Sequence, residues 1–110
     1  MVRTRPLDVL IALADEGASS ATAGALRRRG HRVVVCPPAA LDTAPRVEDV
    51  LVCDLVTLTR LRAAGQTAAA LLIDLEATPE AFRDALRLGA CDLMTRPWML
   101  SELADRVEAC

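Results

Sequence analysis

Residues 68–95, AAALLIDLEATPEAFRDALRLGACDLMT, have the pattern of one complete strand–helix–strand unit. Within it, residues 68–75 form a short apolar run, which is typical of a buried strand, although its alanines suit a helix as well. The Thr-Pro-Glu sequence at 78–80 then supplies a capping hydroxyl, a first-turn proline and a first-turn acid in the order that a helix prefers. Gly89 ends this helix, and residues 91–95 are a second strand-like run. The unit therefore predicts two strands joined by a helix.

The same alternation of short apolar runs and helical segments extends through the rest of the chain. Gly30 follows the first predicted helix, where a residue in the left-handed conformation commonly ends a helix. Prolines interrupt the segment after the second strand. Apolar strands that alternate with helices indicate a parallel sheet covered on both faces, so we predict an α/β fold of the doubly wound (βα)5 type. The remaining predicted strands are 7–14, 32–36 and 47–53, and the remaining helical segments run from Ser19 or Ser20 to Arg29, as a single turn over 39–43, and over 57–64 and 100–109.

The composition limits the classes of protein to which this chain can belong. Its 110 residues suit a single domain, 1–110, because a compact chain of this size buries roughly two-thirds of its unfolded surface. All 13 basic residues are Arg, against 15 acidic residues, and the net charge of −2 excludes an electrostatic nucleic-acid binder. No apolar run approaches the ~20 residues of a membrane helix, since Asp8 and Asp15 interrupt the apolar stretch near the N-terminus. We therefore expect a cytoplasmic domain that contacts neither a membrane nor nucleic acid directly.

The cysteines do not have the spacing of a metal site. Cys36, Cys53, Cys91 and Cys110 contain no CxxC pair, and His31 is the single histidine, so the usual zinc-binding spacings are missing. The first three lie in or beside apolar runs, where a free thiol behaves as a small hydrophobic side chain. We predict reduced thiols in the core of a cytosolic protein.

Polar residues follow the carboxyl ends of the predicted strands. In an open parallel sheet these ends meet at one edge, where ligands bind beside the point at which the strand order reverses. We therefore expect the polar side chains there to form a pocket. They are Asp15 and Glu16 after the first strand, Asp54 after the third, Asp74 after the fourth, and Arg96 with Pro97 after the fifth.

Three segments resemble, in order, parts of the receiver domain of response regulators, and the resemblance spans nearly the whole chain. VEDVLVCD (47–54) is similar to the strand that leads to the phosphoacceptor aspartate, GACDLMTRPW (89–98) to the fifth strand and its Lys-Pro-Phe ending, and MLSELADRVEA (99–109) to the last helix. The resemblance implies a flavodoxin-like three-layer sandwich with strand order 2-1-3-4-5. It also implies that Asp54 is the phosphoacceptor-equivalent. Asp15 and Asp54 are then the candidate ligands of a Mg²⁺ ion, and no other cofactor is expected.

The candidate metal ligands depart from the receiver pattern. The residues that match the family's acidic pair are Leu13 and Ala14, so Asp15 and Glu16 are displaced along the chain. A one-residue shift in a strand turns a side chain to the opposite face. The displacement therefore predicts impaired Mg²⁺ binding.

Other pocket positions have changed as well. Asp74 stands where the family has Ser or Thr, and a carboxylate there would repel a phosphoryl group; Leu93 replaces the family's switch aromatic. Arg96 replaces the Lys before Pro97, which keeps the charge but adds bulk and bidentate geometry. We predict that Arg96 bridges Asp54, Asp74 or both and locks one conformation.

These features predict an atypical receiver domain that serves as a signalling and dimerisation module of a transcriptional regulator in two-component signal transduction, with impaired or absent phosphorylation switching. Two alternatives stay open: a conventional Mg²⁺-dependent phospho-receiver that uses Asp54, and a flavodoxin-like domain that binds a small ligand. We expect no enzyme, because a Ser/His/Asp set, a GxGxxG motif and a phosphate loop are absent and His31 opens the second strand away from the pocket.

The expected partner is a second copy of the chain. The receiver resemblance implies a homodimer through the fourth helical segment, the fifth strand and the last helix, with opposite charges meeting across a two-fold axis. A solvated surface of mixed charge is the competing interpretation. The resemblance also implies a histidine kinase or a covalently linked DNA-binding effector domain as a partner. We expect that effector domain to be absent or to have been removed from this chain. The candidate interface residues are Asp92 and Arg106, with Arg83, Asp84, Arg87 and Asp105 nearby.

Overall fold

Strands and helices alternate along the part of the chain that the structure, a computed structural model, describes: residues 5–95 and 98–110. Within these ranges no helix has both the length and the apolar character to cross a membrane. The elements are β1 (Asp8–Ala12), α1 (Glu16–Arg28), β2 (Arg32–Val35), a 3₁₀ helix (Pro38–Thr43), β3 (Val50–Cys53), α2 (Leu55–Ala63), β4 (Ala69–Ile73), α3 (Pro79–Arg87), β5 (Ala90–Met94) and α4 (Leu100–Ala109).

The five strands form one parallel sheet in the order β2-β1-β3-β4-β5, which confirms the predicted doubly wound, flavodoxin-like topology. In the register of the sheet, Ile11 of β1 lies beside Val35 on one side and Val52 on the other. The segment around Ala69 is a strand and not a helix, and four of the five residues of β4 are buried. Such burial on both faces is what a central parallel strand requires.

Two apolar layers enclose the sheet. Alternate residues of β1 point to opposite faces, so that Val9 and Ile11 belong to one cluster and Leu10 to the other. The first cluster includes residues of α1 and α4; the second includes residues of the 3₁₀ helix, α2 and α3. The three-layer sandwich is therefore confirmed, with a single 3₁₀ segment in place of a full second helix.

Two helices begin earlier than predicted because an aspartate caps each of them. α1 begins at Glu16 behind Asp15, and Ser19, predicted as a candidate cap, lies inside the helix. Its buried hydroxyl donates to the backbone oxygen of Leu13 at 3.4 Å. α2 begins directly after Asp54 and not at the predicted residue 57. Asp and Ser are comparably good caps, so residue type alone does not decide which of Asp15 and Ser19 precedes α1.

The start of α3 is as predicted. The hydroxyl of Thr78 accepts a hydrogen bond from the N–H of Ala81 at 3.1 Å, and Pro79 is the first helical residue. The last helix has the predicted bounds. At the end of α1, Gly30 has a φ of +89°, the left-handed conformation that favours glycine there.

The prediction for Cys91 was wrong. Cys36 and Cys53 are buried free thiols, as expected, but Cys91 is exposed and forms a disulfide with Cys110. The physical reason is the position of β5 at the edge of the sheet, where an apolar sequence does not guarantee burial.

Candidate functional site

Asp54, the predicted phosphoacceptor-equivalent, follows β3 directly and is the N-cap of α2. Its Oδ1 accepts a hydrogen bond from the backbone N–H of Thr57 at 2.8 Å, and the residue is partly buried. This bond satisfies one of the N–H groups that a helix leaves unpaired at its first turn. One oxygen of the Asp54 carboxylate is therefore engaged in holding the start of α2.

Asp74 follows β4 and has an unusual backbone conformation. Its φ is +58°, the only positive value among the described non-glycine residues, and its N–H donates to the backbone oxygen of Met94 at 2.9 Å. Asp and Asn tolerate this left-handed region, whereas β-branched residues rarely do. The backbone at residue 74 therefore suits the Asp of this chain better than the Thr that the receiver pattern would place there.

The structure brings Asp54 and Asp74 to one pocket at the carboxyl edge of the sheet. The pocket has a cavity volume of about 330 Å³. A third acidic residue, Glu76, also lines it, and sequence reasoning missed this residue. Its place two residues after Asp74 in the β4–α3 connection was the available signal. The other lining residues are apolar: Leu55, Val56, Leu75 and Ala81.

Asp15 and Glu16 do not line this pocket. Asp15 is the N-cap of α1, where its Oδ1 accepts from the N–H of Ala18 at 3.1 Å. Glu16 lines a separate cavity of about 250 Å³ that Val35 of β2 also borders. Within residues 5–95 and 98–110, no group of three His, Cys, Asp or Glu side chains stands close enough to hold a metal ion. A Mg²⁺ ion held by the two carboxylates of Asp15 and Asp54 stays a prediction.

The fifth strand leads towards the remaining predicted pocket residues. Arg96 and Pro97, with the predicted bridge from Arg96 to the aspartates, lie outside the described residues. Leu93, at the position of the switch aromatic, is partly buried and packs against the core beneath α2 and α3.

The Cys53 thiol, next to Asp54, is held in its unreactive protonated form. Burial raises the pKa of Cys53 to about 12, and the charge of Asp54 adds to this effect while Arg62 opposes it. Burial also raises the pKa of Cys36. Because the thiolate is the reactive form, both side chains stay inert near neutral pH.

The predicted interface lies on the surface formed by α3, β5 and α4, which we call the α3–β5–α4 face. Phe82 and Leu86 of α3 are exposed there, with 44% and 76% of their surface accessible. They border a groove of about 250 Å³ between α3 and β5. The other residues that line this groove are Ala85, Ala90, Cys91, Asp92 and Leu93.

The candidate interface charges are paired within one chain. Arg106 lies 3.0 Å from Asp92 and donates a second bond to the backbone oxygen of Leu93 at 3.2 Å. Arg87 lies 3.5 Å from Asp84 along α3. The two remaining candidates differ in place: Arg83 is exposed on α3, whereas Asp105 pairs with Arg29 of α1 at 2.7 Å.

Comparisons with known proteins identify the fold. No protein-family model matches the chain, and no curated protein sequence gives a significant match. The structure is similar to the non-phosphorylated HemR receiver domain from Leptospira biflexa, with a TM-score of 0.77, 20% identity and coverage of 96% of this chain and 93% of that chain. It is also similar to chemotaxis protein CheY4 from Vibrio cholerae, with a TM-score of 0.75, 17% identity and coverage of 94% and 98%. A response regulator from Thermotoga maritima gives a TM-score of 0.76, 17% identity and coverage of 96% and 97%. The chain therefore has the flavodoxin-like fold of response-regulator receiver domains.

Proposed function

We propose that this chain is an atypical receiver domain, a cytoplasmic signalling module of two-component type whose pocket is impaired as a phosphorylation switch. The observation that carries this proposal is the shared pocket of Asp54, Asp74 and Glu76. The proposed output is association with a second copy of the chain, and through it control of an effector such as a DNA-binding domain of a transcriptional regulator. A histidine kinase is the upstream partner only if the protein is phosphorylated in the test with acetyl phosphate.

The electrostatics of the pocket oppose phosphoryl transfer. A phosphoryl group on Asp54 would replace the single charge of its carboxylate with close to two negative charges, in a cavity that the carboxylates of Asp74 and Glu76 already line. Receivers offset such charge with a metal ion and a cation, because transfer depends on neutralising the oxygens of the moving group. Glu16 lines a different cavity from Asp54 and Asp74, so its carboxylate is not placed to help hold a neutralising metal ion beside Asp54.

Incubation with acetyl phosphate and Mg²⁺ tests this part of the proposal. We expect no substantial population with the added mass of about 80 Da that one phosphoryl group gives. The control is Asp54→Asn, because Asn is also a good N-cap and keeps the hydrogen bond to Thr57 while removing the acceptor carboxylate. Rapid modification of the wild type that is lost in this variant would establish the conventional phospho-receiver instead.

The proposed contact between copies uses the α3–β5–α4 face. It has an apolar centre formed by Phe82 and Leu86, and charges of both signs flank it at Asp92 and Arg106. A surface with an apolar centre and a polar rim of both signs is self-complementary about a two-fold axis. About three-quarters of Leu86 is exposed, so covering this side chain contributes the largest hydrophobic free energy to the contact.

Sedimentation of wild type and variants over a range of concentrations tests the association. Leu86→Glu places a charge at the centre of the face, and we expect it to weaken association at least about tenfold. Val34→Glu is the matched control, because Val34 is exposed on β2, at the opposite edge of the sheet from β5. Charge reversal at Asp92 and Arg106 is less informative, since that pair is already made within one chain. A wild type that stays monomeric at high concentration would refute the proposed contact.

A further inference from the structure

The disulfide between Cys91 and Cys110 joins two elements of the α3–β5–α4 face. Cys91 lies in β5 and Cys110 is the C-cap of α4, and their Cα atoms are 5.6 Å apart. This separation lies within the usual range for a disulfide. Both residues are exposed, whereas Cys36 and Cys53 are buried. The four cysteines therefore divide into one accessible pair and two inert thiols.

We propose that Cys91 and Cys110 form a reversible thiol–disulfide switch that ties the C-terminal end of α4 to β5 when oxidised and frees that end when reduced. The inference takes the cytoplasmic location from the proposed function. In a reducing cytoplasm, disulfides are transient and redox-sensing more often than structural. The exposure of both residues supports exchange, since exposed disulfides are the labile ones.

The chemistry is ordinary exchange with a low-molecular-mass thiol. The thiolate of one such molecule attacks one sulfur of the Cys91–Cys110 bond, which breaks as a mixed disulfide forms, and the other cysteine leaves as a thiolate and takes up a proton. A second thiol molecule attacks the mixed disulfide and releases the second cysteine. Two electrons pass from the two thiols to the protein, and one low-molecular-mass disulfide is the product. Oxidation of the protein is the same sequence in reverse.

The bond lies close to Arg106, one of the cations of the α3–β5–α4 face. The N–H of Cys110 donates to the backbone oxygens of Arg106 and Val107 at 3.0 and 3.2 Å. Arg106 in turn pairs with Asp92, next to Cys91 in β5. The oxidised bond therefore closes a loop that includes the Arg106–Asp92 pair. When it opens, the buried Val107, the contact of Glu108 with His31 and the half-exposed Arg106–Asp92 pair still hold the last turn of α4. The residues beyond Glu108 then keep only backbone hydrogen bonds, and helix ends held in this way fray.

A titration in glutathione buffers tests the covalent step on the protein as it exists. Samples are equilibrated at graded ratios of reduced to oxidised glutathione, alkylated and weighed by mass spectrometry. We expect a reversible two-electron transition in which Cys91 and Cys110 are alkylated together, while Cys36 and Cys53 stay unmodified in the folded protein. A bond that stays closed in excess reduced glutathione, or never closes in excess oxidised glutathione, overturns the proposal.

Hydrogen exchange on the same samples tests the structural step. We expect the amides at the C-terminal end of α4, those of Ala109 and Cys110, to exchange at least about tenfold faster after reduction, with those of β1 and β3 unchanged. Cys110→Ser is the control and should show the fast pattern in every buffer. Equal exchange rates in the two redox states overturn the proposal. Sedimentation of these samples reports separately on the contact between copies, so monomers in both states would refute that contact and leave the switch standing.

Discussion

The imidazole of His31 and the carboxylate of Glu108 are joined by a hydrogen bond of 2.8 Å between Nε2 and Oε2. The other ring nitrogen, Nδ1, accepts from the backbone N–H of Leu7 at 3.0 Å, so in this arrangement the proton lies on Nε2 and the ring donates to Glu108. The buried ring therefore links the chain before β1, the chain before β2 and the last turn of α4. It lies at the opposite end of the sheet from the candidate pocket.

Replacing His31 with Ala should destabilise the protein by about 2–4 kcal/mol, because the variant creates a cavity and leaves the buried N–H of Leu7 without its acceptor. Urea unfolding at neutral pH measures the change. His31→Asn is the matched variant: its shorter amide can place an oxygen near the former Nδ1 and keep the bond to Leu7, so about half of the loss should return. A free energy of unfolding for His31→Ala within about 0.5 kcal/mol of the wild type would contradict this role.

Stability should fall in acid in part because of Glu108. Burial alone would raise its pKa, but the hydrogen bond from His31 and the charge of Arg29 outweigh burial and hold the pKa below its ordinary value of 4.5. The unfolded chain therefore takes up this proton first, so stability is lost as the pH falls below about 4.5 and through the lowered pKa. Glu108→Gln removes this contribution while its amide oxygen can still accept from His31. We expect a flatter dependence of urea stability on pH, between about pH 5 and pH 3, in that variant.

The acid dependence will not vanish in Glu108→Gln, because a second carboxylate acts in the same direction. The hydrogen bond from Arg5 lowers the pKa of Asp49, and a bond from the backbone N–H of Asp8 adds to it. Removing both carboxylates should flatten the curve further. A slope for Glu108→Gln equal to that of the wild type would show that the contact with His31 does not contribute.

If the acidic pocket opposes phosphorylation, lowering its charge should relieve the effect. Asp74→Asn keeps a side chain that tolerates the φ of +58° and removes one negative charge beside Asp54. We expect phosphorylation by acetyl phosphate to become roughly threefold to tenfold faster. Asp74→Thr, although it restores the family's residue type, should be strained at this backbone. Asp42→Asn is the charge control, because Asp42 is exposed on the 3₁₀ helix and lines no part of the pocket; equal rates in Asp74→Asn and Asp42→Asn would contradict the argument.

The sequence alone was sufficient to predict those helices and strands for which the local residues favour a single structure. The Thr-Pro-Glu sequence at 78–80 has a single interpretation, and α3 begins there. The convergence of Asp54 and Asp74 also followed from a general rule, because parallel strands end at one edge of a sheet. Tertiary structure was not needed for either inference.

Competing signals were resolved only by packing. Asp15 and Ser19 are both good caps, and which one is used depends on whether Ser19 can be buried with its hydroxyl on Leu13, a contact between an α-helix and the end of a strand. Glu16 is the first residue of α1 and lines a cavity separate from the pocket of Asp54. Cys91 was misjudged for a similar reason, since an apolar strand is buried in the centre of a sheet but not at its edge.

The guanidinium of Arg62 joins α2 to the end of α3 and to the segment before β4 through backbone oxygens. It donates to the oxygen of Leu88 at 2.8 Å from Nε, and from Nη1 to Gln66 at 3.1 Å and Ala68 at 2.6 Å. A lysine ammonium is a compact donor and cannot reproduce a planar fork, so Arg62→Lys should cost about 1–3 kcal/mol in urea unfolding. Arg60→Lys is the matched control on the same helix: Arg60 is exposed and donates to a single oxygen at 3.3 Å, so the change should cost less than about 0.5 kcal/mol. Equal costs for the two variants would mean that the buried carbonyls find other donors and that α3 does not depend on this arginine.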